Sequence, residues 1–203
     1  MNIELHHGDL PDTVSFGPIL AMDTEAMGLH PKRDRLCLAQ MTDGSGTVHL
    51  VKFGAPPLRA PNLAKVLTDK NILKLYHFAR FDIALLRAYL GVEVSPVYCT
   101  KIASKLTRTF TDRHGLKDLV KEFTGVDLSK QQQTSDWGTE TLTQAQLEYA
   151  ASDVVHLHKL KEGLDRLLER EGRIQLAKAC FAFLPTRAEL DLMDWAEEDV
   201  FAH

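Results

Sequence analysis

The chain has 203 residues, of which 44% are hydrophobic and 26% charged, and its formal net charge is −4. That size and composition fit one soluble domain, with a core large enough to need neither disulfides nor a structural metal. The net charge argues against a nucleic-acid binder, and the rest of the composition against a disulfide framework and a membrane span. Cys37, Cys99 and Cys180 form no CxxC pair, and no stretch approaches the ~20 apolar residues a span requires.

The opening MNIELHHGDL has no apolar run behind a basic segment, so no signal peptide is expected, and scattered reduced thiols suggest the cytoplasm. GPILAMDTEA reads as a central strand. RLCLAQMTDGSGTVHLVKF reads as two strands joined at Asp43-Gly44-Ser45-Gly46, a hairpin signal. PNLAKVLTD is a short helix, NILKLYHF a strand, and RFDIALLRAYLG a helix closed by Gly91. VSPVYCT is a short strand before helical KIASKL, and HGLKDLVKEFTG is a helix ended by Gly125. A long helix is predicted over 144–171, with Thr143 and Gln146 as a capping box and Gly172 as the stop. A last helix is expected to start at Thr186, with Glu189 three residues on. This order predicts an α/β sandwich: a mixed central sheet, opened by an antiparallel meander and flanked by helices.

Charge is uneven along the chain. Lys101 to Lys130 carries seven Lys/Arg against four Asp/Glu, whereas Thr186 to His203 carries one Arg against six acids. A basic middle on an acidic protein suits an electrostatic groove; ordinary solvated helix faces explain it too.

Four carboxylates stand in three places. Asp23 and Glu25 lie two apart at a strand end and so share a face, where like charges repel unless a cation sits between them. Asp82 falls in the first turn of a helix, at the head of the inward stripe that continues through Leu86 and Tyr89. Asp153 follows Tyr149 by four residues, which stacks the two on one helix face. Taken singly, an exposed strand end, an ordinary N-terminal helix acid and a surface Tyr–Asp pair explain each. Together, four carboxylates match the charge of two Mg²⁺ or Mn²⁺ ions, hard cations that take oxygen ligands. Such a pair can hold the attacking and leaving oxygens of a phosphodiester in line.

In these motifs the sequence resembles the DEDD 3′-5′ exonucleases, specifically ribonuclease D. The motifs are Asp23-Thr24-Glu25, then HFARFD ending in Asp82, then YAASD from Tyr149 to Asp153. LSKQQQTSDWGTETLTQAQLEYAASD is similar to the stretch that leads into the last motif, and the likeness covers roughly residues 18–170. Glu148 stands where the sister subclass has His, so the Tyr subclass is the match. The resemblance implies a ribonuclease H-like fold and a single exonuclease domain over residues 1–203. Its catalytic core would run over about 18–170, with a helical extension over about 173–203 in place of the helical RNA-binding domains of longer members.

The resemblance also implies roles. Asp23 would bridge two divalent ions, Glu25 and Asp153 would hold the ion carrying the nucleophilic water, and Asp82 would support the second. Tyr149 would orient the water. The implied reaction releases 5′-nucleoside monophosphates from an RNA with a free 3′ end, such as a tRNA precursor, with no membrane or protein partner implied. A DNA-directed 3′-5′ exonuclease with the same site is the nearest alternative, and a nucleic-acid-binding module that has lost catalysis is the alternative of another class. Phe78 departs from the Asn that follows the second-motif His in related proofreading exonucleases.

Candidate substrate contacts are Gly28, Leu29, His77, Lys101, Lys130, Gln133 and Trp137, with Lys105, Arg108 and Arg113 as further phosphate candidates. Each has a plainer reading as well. Leu29 can cover the core, Gly28 can be a turn residue, Trp137 and His77 can be packing residues, and the cations can be solvated.

Overall fold

The computed structural model describes every residue except Lys130. Six strands form one sheet: β1 (Asn2–His7), β2 (Ile19–Ala26), β3 (Leu36–Thr42), β4 (Thr47–Lys52), β5 (Leu73–Tyr76) and β6 (Val97–Cys99). Their spatial order is β1-β4-β3-β2-β5-β6. The β2–β3 and β3–β4 pairs are antiparallel, while β2–β5, β5–β6 and β1–β4 are parallel, so the sheet is mixed. In β2, three consecutive residues, Leu20, Ala21 and Met22, are fully buried. Side chains alternate between faces along a strand, so both faces are covered here.

The helices are α1 (Pro61–Thr68), α2 (Ala79–Leu90), α3 (Thr100–Thr107), α4 (Leu116–Thr124), α5 (Gln144–Val155), α6 (Leu157–Arg170) and α7 (Ile174–Leu192). α5 packs on β2, β3 and β4, and α2 packs on α7 and on β2, β3, β5 and β6. Two ends follow the sequence closely. Thr143 and Gln146 make the reciprocal capping box of α5, and Gly91 ends α2 in the left-handed conformation at φ 68°. None of the described helices is long and apolar enough to cross a membrane.

One strand goes beyond the expected elements, and two expectations are corrected. The opening segment forms β1, which pairs with β4 from Asn2↔Thr47 to His7↔Lys52. It was hidden because its only strand signal is the short alternation Ile3, Leu5, and an edge strand buries little. The long helix over 144–171 is two helices that meet at His156. No Gly or Pro marks the break; Ser152 Oγ instead donates back to the Tyr149 carbonyl at 2.7 Å, and such back-bonding bends helices. Thr186 caps nothing: α7 runs from Ile174 through Pro185 to Leu192. Pro185 removes one helical N–H, but packing on α2 and the Arg187–Asp191 pair carry the helix past it.

Candidate active site

The site forms where the end of β2, the first turn of α2 and the C-terminal half of α5 meet. Asp23, Glu25 and Asp153 each offer a carboxylate oxygen, and these oxygens lie within 4.8 Å of one another. Asp82 enters from α2 and is 3% exposed. Its Oδ1 accepts the Thr24 hydroxyl at 2.6 Å, which ties α2 to β2 inside the DTE motif. Gln40, opposite Asp23 in the β2–β3 register, donates from Nε2 to Asp23 Oδ2 at 2.9 Å.

Burial raises every carboxyl in the cluster, and repulsion from neighbouring acids adds to it at Asp23, Glu25 and Asp82. Asp23 is driven well above the usual range by burial, then by Asp82, Asp153 and Glu25. Burial, followed by Asp153 and Asp82, pushes Glu25 up to about 9. Burial lifts Asp82 to about 7 against the hydrogen bond from Thr24, and lifts Asp153 to about 7 against the one offered by Tyr149. A cluster of acids that resists ionisation by itself, within coordination reach, has the donor chemistry for hard divalent cations. Among the described residues the buried Gln40 Oε1 has no hydrogen-bond partner, while the Nε2 of the same amide holds Asp23. These residues fit a bound Mg²⁺ or Mn²⁺.

Tyr149 faces this cluster from α5. Its phenol is pushed up by burial and then by Asp153, Glu25 and Asp23, so it keeps its proton at neutral pH. Its ring packs against Trp137, with centroids 6.0 Å apart.

The expected substrate contacts divide. Leu29 is 88% exposed on the loop after β2, free to meet a ligand. Gly28 has a local reason: a Cβ there would come within 2.3 Å of the Asp34 carboxylate, which accepts the His30 N–H. Lys101 projects over the Phe78 ring at 4.2 Å from its centroid, at the entrance to α2. His77, partly exposed, hydrogen-bonds Thr100 at 2.9 Å, and burial followed by Lys101 lowers its pKa to about 3, so its ring is neutral at pH 7. Trp137 is 2% exposed, so it is a wall behind Tyr149 rather than a stacking platform. Arg108 is buried and bonded to Glu122, Ser104 and the Arg113 carbonyl, which removes it from the phosphate candidates. Gln133 lies exposed in a turn, and Lys130 lies outside the described residues.

Thr24 and Gln40 escaped the sequence reading. Thr24 sits inside the motif and could have been suspected. Gln40 depends on strand register, which no local pattern gives.

The residue after His77 holds a strained backbone. Phe78 has φ 65° and ψ 42°, the left-handed region, directly before α2. Asn tolerates that region better than most side chains. The Asn found there in related exonucleases therefore has a conformational reason, and here Phe bears the strain one turn from Asp82.

A family model described as 3′-5′ exonuclease matches residues 10–169. A ribonuclease D from Granulibacter bethesdensis is 34% identical over 157 residues, covering 77% of this chain and 39% of that one. The chain spans about two fifths of the length of the curated ribonuclease D relatives it matches. Among solved structures, Brucella melitensis NrnC with bound Mg²⁺ is 54% identical with a TM-score of 0.95, covering 100% of both chains. The same protein bound to pGG is 55% identical over 100% of this chain and 99% of that one, at a TM-score of 0.95. Escherichia coli RNase D is 26% identical with a TM-score of 0.73, over 84% of this chain and 45% of that one. The fold is thus the ribonuclease H-like 3′-5′ exonuclease fold, with the three acidic motifs on the elements that converge here. With the model spanning most of its length and full-length relatives at more than half identity, this chain belongs to the 3′-5′ exonuclease family.

Proposed function

We propose that this protein is a 3′-5′ exoribonuclease that releases 5′-nucleoside monophosphates from RNA with a free 3′ end. The observation that carries the reading is the convergence of Asp23, Glu25 and Asp153 oxygens within 4.8 Å, with Asp82 and Tyr149 beside them. Asp23, Glu25, Asp82 and Asp153 would hold two divalent ions, Mg²⁺ or Mn²⁺. When bound, these ions supply an activated water and offset charge on the scissile phosphate.

The protein's own groups do the rest. Gln40 and Thr24 fix the rotamers of Asp23 and Asp82. Tyr149, protonated and backed by Trp137, positions the attacking water by hydrogen bonding instead of removing its proton. The water's oxygen bonds to phosphorus as it gives up a proton to solvent, the bond to the 3′-oxygen breaks, and the departing oxygen takes up a proton from solvent. Leu29, on the exposed loop after β2, is placed to meet the terminal nucleotide, and Lys101 to meet backbone phosphate. We read residues 1–203 as one exonuclease unit with its extension over 173–203, working in the cytoplasm.

The binding of pGG by Brucella melitensis NrnC favours RNA, and short RNA, as substrate. The test compares Mg²⁺- and Mn²⁺-dependent hydrolysis of pGG, a tRNA precursor with a 3′ trailer and matched DNA oligonucleotides. Nucleoside monophosphate release from RNA, abolished in Asp23→Ala, is expected. Preferential hydrolysis of DNA would overturn the assignment.

A further inference from the structure

Glu4, His6 and His49 form a second cluster of metal-ligating side chains, on the β1–β4 edge of the sheet. Glu4 and His6 lie two apart on β1 and so share a face, and Glu4 is paired in register with His49 on β4. His6 Nε2 stands 3.0 Å from His49 Nδ1, and His49 Nδ1 stands 3.5 Å from Glu4 Oε2. All three ligand atoms fall within 4.8 Å of one another.

The geometry points to a divalent transition-metal site of two imidazoles and one carboxylate, with Zn²⁺ as its natural occupant. Zinc–nitrogen bonds of about 2.0–2.1 Å at tetrahedral to square angles place two ligating nitrogens roughly 2.9–3.4 Å apart. The 3.0 Å separation of the two ring nitrogens lies in that interval. The imidazole rings are nearly parallel, with planes 18° apart, and Phe16 packs edge-on against His49, so the ring is held in place. Asn2 Nδ2 donates to Glu4 Oε1 at 3.0 Å, which orients the carboxylate and leaves Oε2 for a ligand. Burial, then His49, lowers the His6 pKa, keeping it in the neutral form that binds metals. Glu4 is 46% exposed and His49 14%, so the remaining coordination positions open to solvent.

Imidazole ligands select Zn²⁺, Co²⁺ or Ni²⁺ over Mg²⁺, so this site differs in metal preference from the all-carboxylate centre. It also joins two strands whose ligands are 43 residues apart in sequence, His6 and His49. Metal binding here would fasten the first strand to the sheet edge, where β4 is its sole sheet neighbour among the described residues.

The test uses untagged protein in millimolar Mg²⁺, added to compete for the carboxylate cluster. Zn²⁺ is titrated by calorimetry, and amide exchange is followed in residues 2–7. One equivalent of Zn²⁺ should bind and slow exchange in that strand. Affinity should fall at least ~10-fold in His6→Asn, His49→Ala and Glu4→Gln, and hold in Asp153→Asn. The half-exposed Glu4→Gln decides the matter if His49→Ala does not fold. No Zn²⁺ uptake by the wild type, or uptake unchanged in Glu4→Gln and His6→Asn, would overturn the proposal and leave a hydrogen-bonded histidine pair.

Discussion

Asp153→Asn should make the metal-free protein more stable at pH 8 while destroying its function. The native carboxyl titrates at about 7 instead of 3.8, with burial as the main cause. A raised native pKa gives stability that is full below the unfolded value and is lost as pH rises through the native one. The wild type therefore gives up this contribution between about pH 4 and pH 7, and the Asn variant, with nothing to ionise there, does not. Moving from 3.8 to about 7 sets a ceiling of roughly 4 kcal/mol at 1.36 kcal/mol per pH unit. Water entry and relaxation reduce the gain to about 1–3 kcal/mol. Losing the Asp153 charge also relieves Asp23 and Glu25, which it helps to raise. For a chain of this length the gain corresponds to roughly 3–10 °C in Tm. Thermal unfolding of both proteins at pH 5 and pH 8, with EDTA and with Mg²⁺, reads the effect. The variant should lead at pH 8 in EDTA by more than at pH 5, and Mg²⁺ should raise the wild-type Tm and move the variant far less. A variant less stable than wild type at pH 8 in EDTA, with the same Mg²⁺ increment, would refute both the burial argument and the ligand assignment.

Phe78→Asn should raise stability by up to about 1 kcal/mol in chemical denaturation, because the left-handed backbone costs a bulky side chain roughly 1–2 kcal/mol; the lost contact with Lys101 offsets part of the gain. Tyr149→Phe should cut kcat severely with little change in RNA affinity, read by single-turnover hydrolysis against equilibrium binding in Ca²⁺; an unchanged rate removes the hydroxyl from the mechanism. Gly163→Ala should lower Tm, because its Cβ would meet the Phe123 ring at 2.4 Å and force α4 away from α6 at a cost of about 1–3 kcal/mol. Thr143→Ala should cost about 1 kcal/mol in chemical denaturation through loss of the capping box on the helix that carries Asp153.

The site was legible because its chemistry is written locally. Asp23 and Glu25 share a strand face, Asp82 sits in a first helical turn, and Tyr149 and Asp153 are one helical turn apart; each relation follows from a period. What was missed depends on long-range geometry. Gln40 meets Asp23 only through the β2–β3 register. Trp137 reads equally as platform or wall until the loop before α5 is folded over it. Arg108 looks like a free cation among seven until Glu122 and Ser104 are seen around it. β1 was invisible because an edge strand with two exposed histidine-flanking positions has little hydrophobic pattern to show. The break at His156 and the passage of α7 through Pro185 reverse the usual meaning of the local residues, and tertiary packing decides both.

The segment after Gly172 belongs to the site's architecture as much as the motifs do. α7 packs along α2, and Asp191 receives Arg80 at 2.6 Å from the same first turn that carries Asp82. Arg187 reaches Asp191 too, so one acid, 8% exposed, holds two guanidinium groups. Arg80 also donates to the Ala196 carbonyl at 2.7 Å, and Lys32, on the loop that bears Leu29, bonds Asp194 at 2.8 Å. The acidic end is therefore fastened to two elements of the site, the α2 entrance and the loop after β2. The exposed Lys32–Asp194 pair adds little energy by itself. The half-buried, bidentate Arg80–Asp191 contact fixes the direction of α2. That direction places Asp82 beneath Thr24, against the unfavourable burial of its own charge. A cluster of acids that resist ionisation needs its elements held from behind, and here the C-terminal helix and its tail do the holding.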